Sequence, residues 1–282
     1  MARYLDPKND LTFKRVFGEH KHLCISLLNS LLPLKEKITS IEYEPTELLP
    51  EVLRKKDTVV DVRCKDSTGR EFIVEMQMYW SRSFKSRVLF NASKVYVKQL
   101  DVARAYEELR PVYSLNLVND IFEHNMPDEY YHHYKIVNIE DSEKQIEGLE
   151  FIFVELPKFK ARSFSEKKLQ VLWLRFLTEI YDSDVVPAGL DADANIKEAL
   201  GYVARSAYSD AELATYYRIK DLDMREVSAL SDAEAKGVAN GEAERAQLQQ
   251  ALAAQAAALA AEKEKAAAAL ARISELEKQI KQ

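Results

Sequence analysis

The chain has 282 residues, with 40 Lys and Arg against 46 Asp and Glu and a formal net charge of −6, so it carries no general basic coat for a polyanion. At 47% hydrophobic residues, 7 Gly and 8 Pro it is neither disordered nor fibrous and can bury a sizeable core. Two cysteines outside any Cys-x-x-Cys pair argue against a disulfide framework or a structural zinc.

The opening Met1–Asp10 is charged, and no stretch of about 18 apolar residues follows it, so membrane spanning and secretion are disfavoured and a cytoplasmic location is expected. Asp10 can cap a helix carrying Leu11, Phe13, Val16 and Phe17, and His22–Leu32 continues as a second helical stretch ending before Pro33. Lys37–Leu49, Thr58–Lys65 and Arg70–Tyr79 read as a three-strand meander. Ser83–Tyr106 is a long helix with Leu89, Ala92, Tyr96, Leu100 and Ala103 on one face, and Pro111–Val118 returns as a strand. Tyr131–Ile139 and Glu150–Leu156 look extended, whereas Ser165–Tyr181, Ala192–Tyr208 and Asp210–Leu222 look helical. From Asp232 the composition turns to Ala, Glu, Lys and Gln after a possible hinge at Lys236-Gly237 and Asn240-Gly241. That tail predicts one long helix. Leu252, Leu259, Ala266, Ile273 and Ile280 recur at heptad spacing, but Gln255 and Glu262 on the alternate seam weaken the coiled coil, leaving a homo-oligomer through this helix an open expectation. The expected domains are a core at 1–160, a helical extension at 161–230 and the Ala-rich helix at 231–282.

The candidate chemistry lies in the hairpin. Alternation puts Val60, Val62 and Cys64 on one face and Val59, Asp61 and Arg63 on the other; in the next strand Ile73, Glu75, Gln77 and Tyr79 share a face. If Ser67, Thr68 and Gly69 form a three-residue loop, Asp61 opposes Glu75. Facing carboxylates destabilise a sheet unless a cation neutralises them, and an all-oxygen set, with the Met76 carbonyl as a further ligand, suits Mg²⁺ or Mn²⁺. A one-residue slip would put the two carboxylates on opposite faces. The plain alternative is a half-exposed hairpin whose outer face simply carries Asp, Glu, Gln and Arg. Against it, both carboxylates sit within apolar runs, and buried carboxylates need partners.

Three segments together resemble the recombination-promoting nuclease and transposase-like group of the PD-(D/E)XK nuclease superfamily. They are Asp6-Pro7-Lys8-Asn9-Asp10 through Phe17-Gly18, the hairpin Asp61-Val62-Arg63 to Val74-Glu75-Met76-Gln77, and the helix Arg87 to Lys94 with Tyr96 and Gln99. The resemblance implies an α/β fold with an αβββαβ core around a mixed sheet and a helical C-terminal half. It also implies a metal-dependent DNA endonuclease linked to recombination, mobile elements or phage defence, with Asp61 and Glu75 holding the metal. Gln77 would stand where most of the superfamily has lysine and would orient the attacking water by hydrogen bonding without changing its charge. Asp10 would add an acidic group near the metal or simply cap its helix, and Lys14 would approach phosphate or pair with an acidic neighbour.

On the long helix Arg87, Asn91, Lys94 and Lys98 align on one face, read as lying opposite the apolar stripe, with Arg82 and Lys85 just upstream. This is the expected DNA-binding patch, or else an ordinary solvated face. RNA remains a conceivable substrate. The five histidines show no metal spacing, while Tyr79 and Trp80 sit close enough to the hairpin to stack on a base. The rival function is a catalytically inactive nuclease fold that binds nucleic acid or acts as an oligomeric scaffold.

Overall fold

Asn9, rather than Asp10, caps the first helix: its side chain accepts from the Leu11 amide at 3.1 Å, which leaves Asp10 as the first helical residue. The computed structural model describes residues 3–48, 58–100, 105–161 and 168–280. Helix α1 (Asp10–Phe13) runs into a π turn at Lys14–Gly18, and α2 (Lys21–Leu31) follows. The strands β1 (Ile41–Tyr43), β2 (Glu47–Leu48), β3 (Thr58–Val59), β4 (Val62–Asp66) and β5 (Glu71–Gln77) come next. Then come α3 (Phe84–Val97), β6 (Val112–Val118), β7 (Tyr131–Val137) and β8 (Gln145–Glu155), and finally α4 (Leu169–Glu179), α5 (Ala194–Tyr202) and α6 (Asp210–Ile280).

Six strands form one mixed sheet in the order β1-β4-β5-β6-β8-β7, with β5, β6 and β8 parallel and the outer pairings antiparallel. The order of helices, β1, β4, β5, α3 and β6 is the αβββαβ core expected from the resemblance. Two expected strands are each broken. Lys37–Leu49 becomes β1 and β2, and Thr58–Lys65 becomes β3 and β4, with β2 and β3 paired in a separate ribbon. Leu49 lies outside the described residues, as do parts of the expected helices at 101–104 and 165–167.

The β4–β5 turn sets the register. Gly69 has φ of 90°, a conformation cheap only for glycine. The Asp66 carboxylate accepts from the amides of Thr68 and Arg70 at 3.0 and 2.9 Å and pairs with the Arg70 guanidinium at 2.7 Å. The resulting pairing of Val62 with Val74 and Lys65 with Glu71 is the one a three-residue loop dictates.

Both sheet faces are covered. On one, Val62, Cys64, Phe72 and Val74 meet Phe13, Phe17, Leu27 and Trp173, with the Phe17 and Trp173 rings 5.2 Å apart. On the other, Ile73 and Val112 meet Ala92 and Val95 of α3. Each such large apolar side chain contributes roughly 1.5–3 kcal/mol by burial.

The buried face of α3 is Phe84, Val88, Asn91, Ala92 and Val95, whereas Leu89 is half exposed, so the face read from the sequence is turned by about one residue. Ala103 of that face lies outside the described residues.

At the end of β8 the fully buried Glu155 is enclosed by donors. The amides of Phe122 and Glu123 reach one oxygen at 2.6 and 3.1 Å, and His132 Nε2 and Lys158 Nζ reach the other at 2.8 and 2.5 Å. Lys158 also donates to the carbonyls of Glu123 and Met126. The 119–130 connection is thereby fixed to the sheet.

The chain divides into two units, Met1–Asp223 and Met224–Gln282. Within the first, Tyr216 of α6 donates to Asp182 and accepts from the Asp6 amide. The second is helical, and α6 continues without a break through Lys236–Gly241, the expected hinge. The side chains of Leu259, Glu262, Ala266, Ile273 and Ile280 lie outside the described residues. No described helix is long and apolar enough to cross a membrane.

Candidate active site

Extending the β4–β5 register would put Val60 opposite Met76. The chain instead bends at Asp61, and Val60 packs with Ile73 on the α3 side rather than sharing a face with Val62. The Met76 amide, left without that ladder partner, donates to Asp61 Oδ2 at 2.7 Å. The bend therefore ends the strand and fixes the carboxylate in one step.

Glu75, on β5, is buried on the same side of the sheet as α3. Burial pushes its carboxyl up to about 8, with the neighbouring Asp61 charge as the next cause. Asp61 is raised to about 6 by burial, against the Met76 hydrogen bond, and the charge of Asp10 raises it further. Burial thus raises both carboxylates, and the Asp61 charge raises Glu75 further, which makes the pair the electrostatic core of the candidate site. Asp10 itself pairs with Lys14 at 2.6 Å on the half-exposed first helix.

Helix α3 supplies successive rungs. Arg87 donates to Gln77 Oε1, Asn91 Nδ2 lies 3.4 Å from Glu75 Oε1, and Lys94 Nζ donates to the Leu48 carbonyl at 2.6 Å. Asn91 is buried, and its Oδ1 has no hydrogen-bond partner among the described residues. The line Arg87–Asn91–Lys94 thus flanks the core rather than lying opposite it, with Arg87 and Asn91 toward the two acids and Lys94 at the Leu48 carbonyl. Asn91 is the site residue that charge reasoning passes over; its signal is a lone amide among Val88, Ala92 and Val95 on a helix face.

Gln77 uses both ends of its amide. Nε2 donates to the Tyr79 carbonyl at 2.6 Å, and Oε1 accepts from Arg87. The other patch candidates diverge. Lys85 pairs with Glu123 at 2.8 Å and lies over the Trp80, Phe122 and Tyr134 rings, while Arg82 and Lys98 are exposed. Trp80 stacks on Phe122 at 4.1 Å, so one face of its ring is already covered.

Four of the histidines have protein partners: His20 the Arg15 carbonyl, His22 Glu198, His132 Glu155 and His133 Glu150. Among the described residues no three His, Cys, Asp or Glu side chains converge to hold a metal ion by themselves.

A family model for the PD-(D/E)XK nuclease family transposase matches residues 7–233. No curated protein and no solved structure matches the chain.

Proposed function

The chain belongs to the PD-(D/E)XK nuclease family transposases, and from that premise we propose that Asp61 and Glu75 form a divalent-cation centre that hydrolyses DNA phosphodiester bonds. The observation that carries this reading is the pair itself: Asp61 at the bend before β4 and the buried Glu75 on β5, both pushed up by burial, Glu75 also by the Asp61 charge. The residues fit such a cation. The donors are all oxygen, and the buried Asn91 Oδ1 lacks a partner among the described residues.

Asp61, Glu75 and the Met76 carbonyl would hold the ion. A bound Mg²⁺ or Mn²⁺ supplies positive charge to phosphate oxygens and lowers the pKa of a bound water. The protein's own part is preorganisation. The Met76 amide locks the Asp61 carboxylate, Asn91 fixes Glu75, and Lys14 and Arg87 partly offset the negative charge before any cation arrives.

Calorimetric titration of the full chain with Mn²⁺ tests the metal half of this reading without relying on turnover. Saturable binding is expected in the wild type, and Asp61→Asn should weaken it by about 100-fold or more, since even outer-shell changes cost 10- to 100-fold. Equal affinity in the two chains would remove Asp61 from the centre.

A further inference from the structure

Resting on the phosphodiesterase reading above, we propose that Arg87, reaching in from α3, is the cation that contacts the scissile phosphate, and that Gln77 is the positioning residue that aims it. Gln77 is poorly placed to orient a water molecule. Its Nε2 donates to the Tyr79 carbonyl at 2.6 Å and its Oε1 already accepts from Arg87, so one amide hydrogen and one lone pair remain.

Arg87 has the opposite character. Its guanidinium lies over the Phe84 ring, 4.9 Å from the centroid, and the residue is exposed to solvent. Among the described residues it makes no ion pair with a carboxylate. One of its five N–H donors is used on Gln77, which leaves a fork suited to two phosphate oxygens.

Among the described residues, three other candidate cations are engaged by protein groups. Among the described residues, Lys14 and Arg87 are cations whose charges act on both Asp61 and Glu75, and Lys14 is held by Asp10 at 2.6 Å. Lys85 is engaged by Glu123 and Lys94 by the Leu48 carbonyl.

The geometry also explains why position 77 is an amide. Gln77 follows Glu75 by two residues on one strand face, and Arg87 precedes Asn91 by one helical turn. The bonds Gln77–Arg87 and Asn91–Glu75 are therefore parallel rungs between β5 and α3. A neutral acceptor at 77 can hold a guanidinium without neutralising it, whereas a carboxylate there would cancel the charge the phosphate needs.

The test is single-turnover nicking of supercoiled plasmid in Mn²⁺ by the full chain, with DNA affinity measured separately in Ca²⁺. Arg87→Ala should slow nicking about 100-fold, the usual cost of removing one transition-state donor. Affinity should change only a few-fold, because one phosphate contact among several is lost. Gln77→Ala should slow nicking as well, and Gln77→Ala combined with Arg87→Ala should be no slower than Arg87→Ala alone, since the two act as one unit. Placing the charge on the strand, with Gln77→Lys added to Arg87→Ala, should recover at least about tenfold of the lost rate.

A wild type that nicks and an Arg87→Ala chain that nicks equally fast would overturn this inference while leaving the nuclease reading intact. Parallel losses of rate and affinity would also overturn it, by making Arg87 a general backbone anchor. Additive losses at 77 and 87 would remove Gln77 from its positioning role. A wild type that cuts in neither Mg²⁺ nor Mn²⁺ would overturn both readings together.

Discussion

Glu75→Gln is expected to do two opposite things: to reduce plasmid nicking by at least about 100-fold and to make the metal-free protein more stable. The first follows from removing one of the two charges proposed to hold the cation. The second follows from linkage. The Glu75 carboxyl titrates near 8 in the folded chain, above its ordinary 4.5, because it is buried beside Asp61. A raised carboxyl contributes stability that is complete below about 4.5 and is lost as the pH rises through 8. Glutamine avoids that loss. The variant should therefore match the wild type near pH 4.5 and exceed it above pH 8, by a few kcal/mol. Thermal melting in chelator at a series of pH values reads this directly. Adding Mn²⁺ should raise the wild-type Tm and leave the variant's almost unchanged. A variant that melts lower than the wild type at high pH would show that Glu75 is stabilised by its surroundings rather than strained by them.

Lys158→Met should be the most damaging single change away from the site. Burial alone would raise the Glu155 carboxyl, but Lys158, His132 and the amides of Phe122 and Glu123 outweigh it and hold it below its ordinary value. Removing the lysine leaves a fully buried carboxylate with only part of its compensation, at a cost of about 3–5 kcal/mol, or roughly 2–4 °C of Tm for each kcal/mol. A lowered carboxyl contributes stability above its unfolded pKa and loses it as pH falls through the folded value, so the gap between wild type and variant should close in acid. Adding Glu155→Gln should restore part of the loss, because a neutral amide leaves no buried charge. An unchanged Tm in Lys158→Met would show that the fold does not depend on this cluster.

The hairpin register was legible because its cause is local. Gly69 closes the loop and Asp66 binds its amides, so the pairing that sets Asp61 toward Glu75 follows from a few adjacent residues. The bend at Asp61 was not legible. Thr58–Val62 alternates like a continuous strand, and only the separate β2–β3 ribbon and the Met76 amide pull it apart. The orientation of α3 failed for a related reason. Leu89, Phe90 and Val97 are apolar yet exposed, while Asn91 is polar and buried, so hydrophobic periodicity pointed about one residue away from the true inner face. The same misreading set Arg87 and Lys94 opposite the core, whereas Arg87 bonds Gln77 beside the carboxylates and Lys94 bonds the Leu48 carbonyl. Asp10 and Asn9 are both good caps by residue type, and the hydrogen bond to the Leu11 amide decides between them only in three dimensions. The Glu155 cluster joins residues from three separated segments, and no spacing in the sequence announces it.

The proposal that Asp61 and Glu75 make this chain a metal-dependent nuclease is tested by the conversion of supercoiled plasmid to nicked or linear form by purified wild type and by Asp61→Asn, each in Mg²⁺, in Mn²⁺ and in chelator. Conversion by the wild type with either metal, absent in chelator and absent in Asp61→Asn while that variant keeps its fold, is the predicted result. Conversion that persists in Asp61→Asn or in chelator, or a wild type that binds DNA and never cuts it, would contradict the claim.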